Sequence, residues 1–262
     1  MSEIKKQSLS NTQILNRQGL EPIAYNYVEG SSPTIIFLGG LMSDMTGTKA
    51  QTLEDHCKTI RKSFIRYDYT GHGLSGGSFI DCNITDWHID TLSIIDQVAS
   101  GPVILVGSSM GGWQMLLAAK KRPDRIAGLV GIAAAPDFTE DLMWNTFPEA
   151  LREQLMESGC IELPSKYDHG AYPISRDLIE DGRKNLILRN SIDFKGPVRL
   201  IHGMCDNDVP WQTSLQINAC LRSTDVITTL VKNGDHRLSE PEDLKRMCQI
   251  VTEVCEITQS NS

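Results

Sequence analysis

Val103-Ile104-Leu105-Val106-Gly107-Ser108-Ser109-Met110-Gly111-Gly112-Trp113 is the stretch that decides the architecture. An apolar run with two valines and an isoleucine passes directly into Gly-x-Ser-x-Gly and then into a helical pattern, so a strand is expected to turn into a helix with Ser109 at the corner. So tight a turn needs small residues two places before and two places after the serine, and Gly107 and Gly111 meet that need. The helix starts at the serine, so its free backbone N–H groups and positive dipole end face any negative charge that develops there. A plain glycine-rich loop would satisfy the five residues alone; the strand before and the helix after favour a serine presented as a nucleophile for acyl transfer.

Working outward, the same alternation of strand and helix continues. Residues 34–38 form a short apolar run between Ser31-Ser32-Pro33 and Gly39-Gly40, which marks a strand buried on both faces. A helix is expected over 48–61, a strand over 63–67 running out into Asp68-Tyr69-Thr70-Gly71-His72-Gly73-Leu74-Ser75-Gly76-Gly77, and a helix over 85–99. Strands at 126–133, 198–202 and 227–231 and helices at 212–221 and 240–254 complete the series. This predicts the α/β class: one mostly parallel central sheet with helices on both faces, and an antiparallel hairpin from residues 1–30 at one edge. The interval 137–191 breaks the alternation, and we expect it to be a small helical lid inserted into a single domain of residues 1–262. Its Met143, Trp144, Phe147 and Tyr172 either face the nucleophile and bind acyl or aromatic groups or seal the lid onto the core.

Composition narrows the function. The net charge of −8 argues against nucleic acid as a partner, since phosphate binding needs clustered Lys and Arg. Seven cysteines, odd in number and without a C-x-x-C pair, form neither a disulfide framework nor a zinc site, and no His/Asp cluster has metal-ligand spacing. No run is long enough to span a membrane. Residues 1–18 are polar and not rich in arginine, so neither secretion nor organelle import is indicated, and a cytoplasmic protein is expected.

A serine hydroxyl needs a base to take its proton and a carboxylate to orient that base, and in strand-turn-helix enzymes the chain order is Ser, acid, His. Three histidines follow Ser109. His236 lies in a loop just past the last expected strand and is the candidate base; His202 ends an apolar strand and reads as a buried structural residue, and His169 falls in the lid interval. Asp206 follows the strand before the histidine strand and is the candidate acid, with Asp208 and Asp137 as competitors and ordinary turn chemistry as the alternative. For the oxyanion, the Met110 N–H is one expected donor and the Leu41 N–H the other, with Gly40 next, although Gly39-Gly40 could be a simple turn. Leu41, Met42, Trp144, Phe147 and Trp211 are candidate walls of an acyl pocket.

Gly107 to Gly111, the Asp68-to-Ser75 run, and His202-Gly203 with Asp206 and Val209-Pro210 together resemble the serine hydrolases of the α/β-hydrolase superfamily. Gly47-Thr48-Lys49-Ala50, Leu163-Pro164-Ser165-Lys166-Tyr167, Val209-Pro210-Trp211 and Asp235-His236-Arg237 narrow the resemblance to its abhydrolase-domain palmitoyl-protein thioesterases and acyl-glucuronide esterases. The resemblance implies a nucleophile at Ser109, an acid at Asp206 and a base at His236. It also implies hydrolysis of small-molecule acyl esters or thioesters, or of S-acylated proteins, without cofactor or metal. A lipase or acyltransferase on the same triad, and a silent hydrolase-fold binding protein, are the competing readings. A haloalkane dehalogenase is disfavoured, since it needs a carboxylate at position 109.

Overall fold

The computed structural model describes residues 12–164 and 171–260. Ten strands and seven α-helices follow one another in it. β1 (Gln13–Arg17) and β2 (Leu20–Val28) form the expected edge hairpin, followed by β3 (Ser31–Leu38), α1 (Thr48–Thr59), β4 (Lys62–Tyr67), α2 (Ile84–Gln97), β5 (Val103–Ser108), α3 (Met110–Lys121) and β6 (Ile126–Ile132). α4 (Glu149–Ser158), β7 (Cys160–Leu163), β8 (Tyr172–Ser175) and α5 (Arg176–Lys184) precede β9 (Val198–Gly203), α6 (Gln212–Cys220), β10 (Val226–Val231) and α7 (Pro241–Ser260). Eight strands make one sheet in the order β1-β2-β4-β3-β5-β6-β9-β10, in which only the pairs β1-β2 and β2-β4 are antiparallel.

The central strands alternate side chains between two cores. Ile36, Leu38 and Leu105 point to the face covered by α2 and α3, whereas Ile35, Phe37, Ile104 and Val106 point to the face covered by α1 and α7. Because both faces are buried, these strands read as continuous apolar runs, which is why the sequence located them. α2 starts where the Asn83 side chain accepts the Asp86 N–H and the Asp86 carboxylate accepts the Asn83 N–H, a capping box.

The segment between β6 and β9 is less helical than expected. It holds a π-helical turn at Thr139–Trp144 and the helices α4 and α5, but also the two-stranded antiparallel sheet β7-β8. Asp137 staples its two ends: fully buried, its carboxylate accepts the N–H groups of Ile187 and Leu188 at 2.8 and 3.0 Å and pairs with Arg189. Asp181 on α5 accepts from the Thr85 N–H and hydroxyl, both at 2.8 Å, tying the segment to α2. Asp137 is therefore occupied by Ile187, Leu188 and Arg189, whereas His236 meets Asp206, so Asp137 drops out as the orienting acid.

The turn at Ser109 is closely packed. A Cβ on Gly111 would lie 2.1 Å from the Leu38 carbonyl oxygen, and one on Gly112 would lie 2.3 Å from the Ala134 Cβ. Gly111→Ala is accordingly expected to cost about 3 kcal/mol, a drop of roughly 6–12 °C in Tm. Gly159→Ala, where a Cβ meets nothing within 4 Å and only the left-handed φ of 77° is strained, should cost about 1–2 kcal/mol. Thermal unfolding of the two variants checks the order, and equal losses would contradict it.

Candidate active site

Ser109 sits between β5 and α3 with φ 54° and ψ −119°, a backbone conformation that costs a side-chain-bearing residue about 1–3 kcal/mol. Main-chain hydrogen bonds hold it there: its N–H donates to the Ile132 carbonyl at 3.0 Å, and its own carbonyl accepts from Gly112 and Ala135 at 2.9 and 3.0 Å. The hydroxyl is thereby aimed at the loop after β10. His236 on that loop brings Nε2 to 3.1 Å from Ser109 Oγ, and its Nδ1 lies 2.7 Å from Asp206 Oδ2 on the loop after β9. The three residues come from separate parts of the chain and meet at the carboxyl edge of the sheet, where open α/β sheets place their sites.

Asp206 is enclosed. Its side chain has no exposed area, yet every lone pair has a donor: Oδ1 accepts the N–H groups of Asp208 and Val209 at 2.8 Å each, and Oδ2 accepts from His236 and from His202 at 3.0 Å. Burial alone would raise its pKa, but the N–H groups of His202 and His236, the charge on His236 and the Val209 N–H hold the carboxyl well below the usual carboxylate range. Asp208 supplies a backbone donor to Asp206. His202, expected to be a buried structural residue, is fully buried, and its ring meets Asp206. Because Nε2 of His202 faces two acceptors, Asp206 Oδ2 and the Val209 carbonyl at 3.1 Å, it carries the proton, and Nδ1 meets the Ser214 hydroxyl at 2.8 Å. The four-residue step from His202 to Asp206 at a strand end was visible in the sequence, but nothing there indicated that the ring turns back onto the carboxylate. His169 lies outside the described residues.

Both expected oxyanion donors belong to segments that adjoin Ser109. Met110 is the first residue of α3, where an N–H has no intrahelical acceptor. The loop after β3 crosses Ser109 closely: a Cβ on Gly40 would stand 3.3 Å from the Ser109 Cβ and 3.9 Å from its Oγ. A turn closed by the Ser43 N–H on the Gly40 carbonyl, 3.1 Å, follows, and the Leu41 N–H within it has no partner among the described residues. The expected pocket walls differ in surroundings. Phe147 is packed into the core on the α2–α3 face, which favours its sealing role. The Trp144 ring carries the guanidinium groups of Arg183 and Arg152 at 4.5 and 5.5 Å, so it presents charge as well as apolar surface. Met42 and Trp211 are partly exposed, and Met42 has φ 57°. The oxygens of Asp206 and Asp208 and the His236 ring lie within 4.8 Å of one another, but the four donors on Asp206 already use its lone pairs.

This fold with this serine corner defines a hydrolase of the α/β class, and the hydrolase family described as Serine aminopeptidase, S33 matches residues 45–168. The human mitochondrial palmitoyl-protein thioesterase ABHD10 is 41% identical over 251 residues, 95% of this chain and 81% of that protein. The structure of mouse alpha/beta hydrolase domain-containing protein 10 superposes with a TM-score of 0.88 at 40% identity, covering 94% of this chain and 98% of that one. A putative hydrolase from Agrobacterium vitis S4 gives 0.89 at 39% identity, covering 93% and 98%. The chain belongs to the α/β-hydrolase family, among hydrolases of the ABHD10 type. The cytoplasmic expectation is corrected by this finding: the ABHD10 relatives are named as mitochondrial proteins, and a polar stretch poor in arginine does not outweigh them. Among the described residues no helix is long and apolar enough to cross a membrane.

An acid whose folded pKa lies below its unfolded value near 3.9 adds stability that is complete above that value and is lost as pH falls through the folded one. Asp206 is such a group, so its contribution should begin to fall at about pH 4 and keep falling as the pH is lowered further. Urea midpoints measured from about pH 5 to about pH 3 should fall more steeply for the wild type than for Asp206→Asn, and parallel curves would contradict the assignment.

Proposed function

We propose that the protein hydrolyses carboxylic esters and acyl thioesters through an acyl-enzyme on Ser109. The observation that carries this reading is the unbroken chain Ser109 Oγ, His236 Nε2, His236 Nδ1, Asp206 Oδ2, with spacings of 3.1 and 2.7 Å. His236 Nε2 takes the hydroxyl proton as Oγ attacks the acyl carbonyl carbon. Asp206, unprotonated across the neutral range, fixes the tautomer that leaves Nε2 free and stabilises the imidazolium that forms. The carbonyl oxygen becomes an oxyanion facing the Met110 and Leu41 N–H groups, each worth about 3 kcal/mol in the transition state. Collapse breaks the bond to the alcohol or thiol, which leaves with the proton from His236. Water then repeats the sequence on the acyl-enzyme and releases the acid.

The finer substrate assignment rests on similarity. The palmitoyl-protein thioesterase name of the relatives supports S-acyl groups as substrates, on small thiols or on proteins, and the resemblance also brings acyl glucuronides into the class. The continuous eight-stranded sheet supports reading the chain as one domain, with residues 137–191 as a cap bearing on acyl selection. Met42, Trp144 and Trp211 are the residues we assign to its wall.

A matched panel of S-acyl and O-acyl substrates of increasing chain length, with one acyl glucuronide, tests the proposal. Wild type should turn over thioesters and activated esters, and Ser109→Ala should lower kcat by about 10⁴-fold or more with the fold intact. A folded wild type inert on the whole panel, or a Ser109→Ala variant as active as wild type, would overturn the proposal.

A further inference from the structure

The run Asp68-Tyr69-Thr70-Gly71-His72-Gly73-Leu74-Ser75 has no part in the chemistry above, yet two of its side chains grip the loop that carries Leu41. His72 Nε2 lies 3.2 Å from the Met42 N–H, and Asp68 Oδ1 accepts the Met45 N–H at 2.6 Å. We propose that His72 is a positioning residue for the oxyanion: by holding the Met42 N–H it keeps the Leu41 N–H aimed at the substrate oxygen. This rests on the reading of Ser109 as the nucleophile.

The proton inventory of the ring makes the contact directional. His72 Nδ1 lies 3.2 Å from the Thr70 carbonyl, which can only accept, so Nδ1 carries the hydrogen and Nε2 of the neutral ring is left to accept from Met42. The surroundings enforce neutrality. The ring is 5% exposed and stands edge-on to Phe79, Trp87 and Tyr69 at 5.2, 5.3 and 5.8 Å between centroids. Burial among them pushes its pKa down to about 4, against a small opposing effect of the Thr70 carbonyl. The Thr70 carbonyl is itself held by the Trp87 indole N–H at 3.1 Å, and the Thr70 N–H by Asp90 at 2.7 Å, so the ring stands on a rigid frame.

The geometry of the turn says what the contact achieves. Residues 40–43 form a hydrogen-bonded turn whose two inner N–H groups belong to Leu41 and Met42. His72 takes the second, which leaves the first free for an oxyanion. Met42 occupies the turn position with φ 57°, unfavourable for a side-chain-bearing residue, and the bond to His72 offsets that strain. Leu41 is thus bracketed by Gly40, packed on the Ser109 Cβ, and by Met42, fixed to His72. Releasing Met42 lets the turn relax and the Leu41 N–H swing away.

The test compares His72→Leu with His72→Gln, whose amide oxygen can occupy the place of Nε2 and accept the same N–H. In His72→Leu, kcat on a good ester should fall by about 10- to 100-fold with KM within about 2-fold of wild type. Affinity for an acyl trifluoromethyl ketone should weaken by the same factor. In that adduct a bond forms between Ser109 Oγ and the ketone carbon, the hydroxyl proton passes to His236, and the ketone oxygen becomes the oxyanion, so the inhibitor reports the hole directly. His72→Gln should recover most of both losses. A purely structural role would lower Tm and leave the inhibitor affinity and kcat of the folded fraction unchanged, and that result overturns the proposal. Should the leucine variant not fold, His72→Gln and the ring ¹⁵N resonances of the wild type still decide: a protonated Nε2 at neutral pH overturns the proposal. A wild type that neither turns over nor takes the ketone removes the reading of Ser109 and this proposal with it, whereas an active wild type unaffected by His72→Leu removes this proposal alone.

Discussion

Ser109 is forced into a left-handed backbone at the meeting point of three parallel strands, and the rest of the molecule is arranged around keeping it there. β5 delivers it, the Ile132 carbonyl at the end of β6 and the Ala135 N–H just beyond hold its two main-chain groups, and α3 leaves from it. No Cβ fits between α3 and the ends of β3 and β6, as the contacts of Gly111 and Gly112 show, so the helix is drawn down against both neighbours. One consequence is that the loop after β3 has to pass over the serine. Another is that the chain leaving β6 is fixed to the serine at Ala135, two residues before Asp137, which staples the segment that follows.

Charge is placed with equal economy. Asp206 is a carboxylate without solvent, tolerable only because four N–H donors replace the water it lost. His202 shares an oxygen of Asp206 with His236, so Asp206 is oriented independently of His236. Three of the six histidines have separate surroundings: His202 is fully buried, His72 is caged by aromatic rings, and His236 is partly open, with 17% of its side chain exposed. Only the last has a ring nitrogen on the serine hydroxyl.

The sequence was most legible where local chemistry and global packing agree. Gly107, Gly111 and the apolar run before them mark the corner because nothing larger fits, and the buried strands announce themselves because both faces are covered. Order along the chain picked out Asp206 and His236, and the structure brings those two together with Ser109. The misses have equally physical causes. β7 and β8 are four residues each, one with a proline, too short to display a period of two, so the segment passed for helix alone. The bond from His202 to Asp206 depends on how the loop after β9 folds back onto the ring, which no residue pattern encodes. The grip of His72 on Met42 spans thirty residues and two loops, contact information that a single sequence does not carry.

The central claim is that Ser109 is the activated nucleophile. Incubating the folded protein with a fluorophosphonate and reading its intact mass, followed by peptide mapping, tests this most directly: Ser109 Oγ displaces fluoride at phosphorus, and His236 takes the proton. The account predicts a single phosphonyl adduct, on Ser109, that forms far more slowly in His236→Ala. A folded protein that gains no adduct, or gains it on another residue, would contradict it.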